Sequence, residues 1–425
     1  MPLDVDSVLA QIDREELANL AIALGNIDSP TGREKEVGEF IEGWLRQEGF
    51  STRVLSLLPD RPNIVGLYKG SGGGYSLLFN SHMDTSASER DVWVFRDPMA
   101  SFRHQAWREG DNLYGEGIVN DKGLMACFLI AGKAIKKAGI TLKGDLLLTA
   151  VSGEMEQEPV DEFQGPDYVS PDVGCRFMVA HGAVADYALV AEATAFRLGW
   201  VEAGRALFKV TVFGAMGMYS PYIKRPYTPE KNPSAIVQVS RLVEKIEGWA
   251  LSYEEKHTYE CPGGTVIPKV NFGAVRGGGP YFTCMTTEKC ALYLDFRTVP
   301  NQDVLALKTE LEEMIKALGI EAEVELFACR RGYEAQNVDR LTAAVGKAHQ
   351  KVFQEKPKRT MPPESSMWRD INVFNEAGIP AVNYGPSGGL GGRMGAPSLD
   401  LKDLYKAAQI FAMIALDLCN QEKKI

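Results

Sequence analysis

The chain has 425 residues, 45% of them hydrophobic and 24% charged, which is ordinary for a globular protein and long enough for two or more domains. With 56 acidic against 46 basic residues the net charge is −10, which points away from nucleic acid and anionic membranes as partners. No apolar run approaches the ~18–20 residues of a membrane span, and the start, MPLDVDSVLAQIDREEL, lacks the basic-then-apolar order of a secretory signal.

Taken in order, residues 14–26 and 33–48 have helical periodicity, the second after the turn Ser29-Pro30-Thr31-Gly32. Strands are expected at 51–57, 63–69 and 75–81, with Ser71-Gly72-Gly73-Gly74 as the last turn between them. The loop GEGIVNDKG at 115–123 feeds an apolar helix at 124–137. A strand at 145–153 runs into GEMEQE, and an acidic, proline-containing stretch at 156–172 follows. A helix near 174–184 and a strand at 187–192 complete the run. Strands alternating with helices imply an α/β domain, a mostly parallel sheet flanked by helices.

After Trp200 the texture changes. A half-exposed strand at 201–213, a helix at 232–247, strands near 268–276 and 290–297, a helix at 301–318 and a strand at 321–327 follow. This βαββαβ order predicts an α+β domain with a four-stranded antiparallel sheet and two helices. The α/β pattern then resumes: a helix at 338–354, a short one ending at 374–377, the buried strand IPAVNY and a closing helix at 400–419. The expected division is therefore a discontinuous α/β domain, 1–200 and 328–425, with 201–327 inserted.

The chemistry-bearing stretch is LLFNSHMDT at 77–85. A buried strand there delivers His82 and Asp84 to the edge of the sheet, where α/β proteins place their chemistry. His-x-Asp is a sensible metal pair, since the carboxylate can orient the imidazole. Alone, it reads equally well as a histidine capping a strand. Only five histidines occur, and the seven cysteines show no C-x-x-C spacing, so reduced thiols in a cytoplasm are expected. Three further segments fall after strand ends: the 115–123 loop, Glu154 with Glu156, and Glu192.

Together these segments resemble the metallohydrolase family of glutamate carboxypeptidases, aminoacylases, acetylornithine deacetylases and succinyl-diaminopimelate desuccinylases. SHMDT resembles its H-x-D motif, YGEGIVNDKG its G-x-G-x-x-D-x-K-G loop, AEAT its E-P-T-like ligand motif, and FNEAGIPAVNYGP its late strand and loop. The resemblance implies the same catalytic domain with an inserted lid that also forms a homodimer, or a larger homo-oligomer. It also implies two divalent ions about a bridging carboxylate, with a glutamate as base toward the water they activate. Carried over, His82 matches a metal ligand, Asp84 its orienting carboxylate, Glu192 a second ligand and Glu154 the base. The bridging aspartate falls on Asn120, with Asp121 beside it, a second-site glutamate on Met155, and the second-site histidine on Arg393.

A thioether is a poor ligand for a borderline ion, and a guanidinium cannot ligate. The reading is one labile ion (Mn²⁺ or Zn²⁺, with Co²⁺ as a further choice), held by His82, Glu192 and Asn120 or Asp121. Arg393 would lie near the missing ion, or bridge to a lid carboxylate. Glu156 and Glu158 read as a solvated acidic loop, SGGLGG at 387–392 as a flexible substrate loop, and Gly277-Gly278-Gly279 as a turn. In the inserted domain the family's G-x-x-x-H segment reads GAMGMYSP, with Met218 for the histidine and Tyr219 next to it. Asn271 and Arg297 match polar lid positions. Met155, Met218, Tyr219, Met367 and Trp368 would line an apolar pocket, with Arg369 and Arg393 available for a substrate carboxylate.

With electrophile activation weakened, the site suits a substrate that spreads negative charge into its own ring. That directs the resemblance to the family's aminohydrolase branch, typified by 5-nitroanthranilate aminohydrolase. The expected activity is hydrolytic deamination of a small, electron-poor aromatic amino acid. A conventional N-acyl-amino-acid amidohydrolase and a non-catalytic binding protein are the two rivals.

Overall fold

A computed structural model describes residues 5–86, 105–155, 160, 171–215, 217–279, 283–388 and 397–423. The chain divides into two compact units, one drawn from 1–200, 335–360 and 369–425, the other from 201–334 and 361–368.

The first unit is built on a six-stranded sheet, in the order Ser51–Ser56, Pro62–Tyr68, Leu146–Val151, Leu77–His82, Tyr187–Val190, Ala381–Asn383. The last four strands run parallel to one another, and the first two add antiparallel edges. Leu77–His82 and Leu146–Val151 are buried at every position. Such runs suit the interior of a sheet covered on both faces. The helix Gly123–Lys137 is also almost wholly buried and packs against Leu401–Cys419, Arg14–Gly25 and the sheet. Phe79 stacks on Phe128 and tilts against Phe411, tying the central strand to both buried helices.

Helix starts follow local chemistry. The carboxylates of Asp13, Asp303 and Asp400 each cap a helix by accepting backbone N–H groups. Two small hairpins escaped the sequence patterns. Trp107–Glu109 pairs with Asn112–Tyr114, which in turn pairs with Ser398–Asp400, and Tyr259–Cys261 pairs with Gly264–Val266. Strands of three residues are too short to show a period.

The second unit has a four-stranded antiparallel sheet, in the order Lys269–Gly277, Lys289–Thr298, Gly204–Phe213, Ala322–Arg330. The helices Ala235–His257 and Val304–Ala317 close its apolar face over a separate core that includes Phe208, Phe296, Leu242 and Leu311. The first of these helices runs well past its expected end at 247. Among the described residues no helix is long and apolar enough to cross a membrane.

Candidate metal site

Register brings the site together. His82 pairs with Val151 and Asn80 with Val190, so two of the parallel strands end level and the third ends two residues earlier. His82 ends the central strand, while Glu154 and Glu192 stand just beyond its two neighbours. Asn120 and Asp121, joined by a cis peptide, come from the turn before the buried helix Gly123–Lys137.

Both ring nitrogens of His82 are engaged. Nδ1 lies 2.9 Å from the Asp84 carbonyl oxygen and 3.5 Å from Asp84 Oδ1. Nε2 faces Asn120 Oδ1 at 3.2 Å and Glu154 Oε2 at 3.7 Å. Burial opposes charge on this ring, but Glu154, Asp84 and Asp121 outweigh it and push the pKa well up. The Asp84 carboxylate accepts from the Thr31 hydroxyl at 2.7 Å and from the amides of Glu154 and Met155 at 3.0 and 3.1 Å. Burial raises its pKa, yet the His82 ring and these donors win and hold it below the usual range.

His82, Asp121 and Glu192 are all buried, and each offers a ligand atom within 4.8 Å of the others. Asp121 Oδ2 accepts from the Ser81 hydroxyl at 2.9 Å, whereas Oδ1 is buried without a hydrogen-bond partner. Burial, with the Glu192 charge nearby, drives the Asp121 pKa well above its ordinary value. One imidazole, two carboxylates and an orphaned carboxylate oxygen form a donor set suited to a divalent cation. The residues therefore fit an ion. Asn120 donates its amide to Met155 Sδ at 3.3 Å, which turns its carbonyl oxygen toward His82. Met155 thus serves Asn120 and Asp84 rather than standing as an acid.

Arg369 lies inside this cluster. Its Nε sits 3.0 Å from Glu192 Oε2. The cation expected for a substrate carboxylate has a protein carboxylate instead. Next to it Asp370 accepts from Asn80 Nδ2 at 2.8 Å, with burial raising its pKa to about 7. Behind Asp84, Glu34 and Arg61 form a buried bidentate pair at 2.7 and 2.8 Å. The sequence patterns missed the Arg369–Glu192, Asp370–Asn80, Thr31–Asp84 and Glu34–Arg61 contacts. The available signal was a charged residue embedded in an otherwise apolar segment, as in MWRDINVF.

Met218, Tyr219, Asn271, Arg297, Met367 and Trp368 belong to the other unit. There the Met218 amide donates to Thr286 Oγ1 at 2.7 Å, and Tyr219 is exposed. Asn271 pairs in register with Asp295, which also accepts from Arg297 at 3.1 Å. Trp368 is buried and Met367 exposed. Arg393, Glu156, Glu158 and most of SGGLGG lie outside the described residues.

Residues 78–417 match peptidase family M20/M25/M40. The N-formyl-4-amino-5-aminomethyl-2-methylpyrimidine deformylase of Bacillus subtilis is 25% identical over 97% of this chain and 96% of its own. Carboxypeptidase G2 of a Pseudomonas species is 31% identical over 56% of this chain and 53% of its own. Among solved structures, the dipeptidase Dug1p of Saccharomyces cerevisiae shares the fold with a TM-score of 0.72 at 13% identity, covering all of both chains. A dinuclear metal-binding peptidase of Bacillus subtilis gives 0.62 at 14% identity, over 95% of this chain and 97% of its own. The chain belongs to peptidase family M20/M25/M40 and is a metal-dependent hydrolase acting on C–N bonds.

Proposed function

We propose that this chain hydrolyses the C–N bond of a small, carboxylate-bearing, electron-poor aromatic amine, such as 5-nitroanthranilate, with a single divalent ion. The observation carrying this is the composition of the cluster: His82, Asp121 and Glu192 converge, while Asn120 and Met155 stand where the family resemblance puts acids. The ion would be held by His82, Asp121 and Glu192, with the Asn120 carbonyl oxygen alongside. When bound, it supplies Lewis acidity toward an attacking water or a substrate oxygen. Mn²⁺ and Zn²⁺ both suit these ligands, as does Co²⁺.

The chain's own groups divide the remaining work. The Asp84 carbonyl and carboxylate orient the His82 ring. In this reading Glu154 takes a proton from the attacking water and returns it to the departing nitrogen. Water and 5-nitroanthranilate would yield 5-nitrosalicylate and ammonia. The ring holds the negative charge in the addition step, which lessens the need for a second ion. Homodimerisation through the inserted unit and an apolar pocket using Met218, Tyr219 and Trp368 extend the same reading, with Asn271 and Arg297 as substrate contacts.

A second reading has a specific support. Two deformylases acting on a formylated aminopyrimidine, from Bacillus subtilis and Halalkalibacterium halodurans, match at 25% and 24% identity over nearly the whole chain. N-acyl hydrolysis of an aminoaromatic substrate would release an acid rather than ammonia. Incubating Mn²⁺- or Zn²⁺-loaded protein with nitroanthranilates and with N-formyl or N-acyl amines separates the two. Ammonia release supports deamination. Formate or another acid, without ammonia, replaces it with the second reading. Elemental analysis finding two tightly held ions per chain refutes the single-ion site.

A further inference from the structure

We propose that Arg369 is a resident cation of the metal site, holding Glu192 when no divalent ion is bound and weakening the ion's hold when one is. The inference rests on the proposed ligand set of His82, Asp121 and Glu192. Its physical basis is the buried pair between Arg369 Nε and Glu192 Oε2, 3.0 Å long, with side chains only 6% and 4% exposed. At that burial little water screens the charges. A guanidinium neither ligates nor loses its proton, so it stays a fixed positive charge beside any ion that enters.

Two effects of opposite sign follow. Without an ion, the pair spares Glu192 from being a buried charge with no partner. With an ion, the same guanidinium repels it and keeps one oxygen of Glu192 engaged. The backbone at this point is anchored, because the neighbouring Asp370 carboxylate is bound by Asn80, which in turn accepts from Thr149. Arg369 is thereby kept at the ligand. The site gives up affinity and gains a defined ion-free state, from which its ion exchanges quickly.

The test measures Mn²⁺ dissociation constants by competition with a fluorescent chelator. Wild type, R369M, R369K and H82A are compared, each also followed by thermal unfolding with and without Mn²⁺. R369M is expected to bind Mn²⁺ at least about tenfold more tightly, since a unit charge near a buried divalent ion is removed. Its ion-free form should unfold at a lower temperature than wild type, and Mn²⁺ should raise that temperature by more. R369K, which keeps the charge, should retain near wild-type affinity. Equal or weaker binding by folded R369M overturns the proposal. If R369M does not fold without ion, R369Q, which retains a donor without the charge, carries the comparison. Should H82A bind Mn²⁺ as tightly as wild type, the ligand set itself fails. Loss of binding in H82A with no gain in R369M overturns the role of Arg369 alone.

Discussion

Single side chains decide what this site can do. Glu154 Oε2 lies 3.7 Å from His82 Nε2. Replacing it with glutamine keeps its shape and removes the proton acceptor. Glu154→Gln should lower kcat about 10²–10⁴-fold with metal content unchanged, the usual size of a general-base effect. An equal loss of metal would instead make Glu154 a ligand. Asn120 tests the opposite change. Its Oδ1 already faces His82 Nε2, so Asn120→Asp adds an anionic oxygen without moving the backbone. Mn²⁺ should bind more tightly to this variant in a chelator competition, and weaker binding would remove Asn120 from the site.

At the level of elements, the local chemistry of the chain explains most of what was legible. Alternation and apolar runs mark the six-stranded sheet because its central strands are buried on both faces. Contacts between distant segments were not legible. Arg369 and Glu192 share no local pattern, and only the juxtaposition of the strand Tyr187–Val190 with the start of the helix Ile371–Glu376 joins them. The pair Glu34–Arg61 links a helix start to a strand start in the same way. Breaking it by Arg61→Ala leaves a buried carboxylate and should cost about 3–5 kcal/mol in urea unfolding, whereas replacing both partners with apolar residues should cost much less. The helix Asp339–Phe353 carries a pH effect. His349 is buried against Phe353 and pairs with the Tyr384 hydroxyl at 2.6 Å, and burial depresses its pKa. Its stabilising contribution is complete above the unfolded value of about 6.5 and is lost as pH falls through the lower folded value. Wild type should therefore lose more stability than His349→Gln between about pH 7 and about pH 5. Equal slopes would contradict this.

Among the described residues each of the two compact units has a large apolar core of its own, and the proposed ligands belong to the first unit. Bound metal should therefore stabilise the units unequally. Mn²⁺ at 100 times its Kd adds about 2.7 kcal/mol to the structure that holds it. Calorimetry with and without a chelator should show that gain in the transition of the first unit, with the second unit's transition unmoved. A uniform shift would mean that the two units unfold together. The inserted unit also has two edge strands, Lys269–Gly277 and Ala322–Arg330. Homodimerisation through this unit predicts twice the monomer mass in light scattering, and a monomer would exclude it.

Residues 27–34 also set a limit on how the chain can be shortened. Thr31 holds Asp84, the backbone of Ser29 and Thr31 pairs with Thr85, and the buried Lys122 ammonium donates to Ile27 O and Ser29 Oγ at 2.8 and 2.9 Å. Ile27, Ser29 and Thr31 precede the family match, which begins at residue 78. A fragment trimmed to the matched region would retain His82, Asp121 and Glu192 but lose the Thr31 hydroxyl that donates to Asp84 and the oxygens of Ile27 and Ser29 that accept from the Lys122 ammonium. An expression fragment meant to keep the site therefore has to start upstream of Ile27.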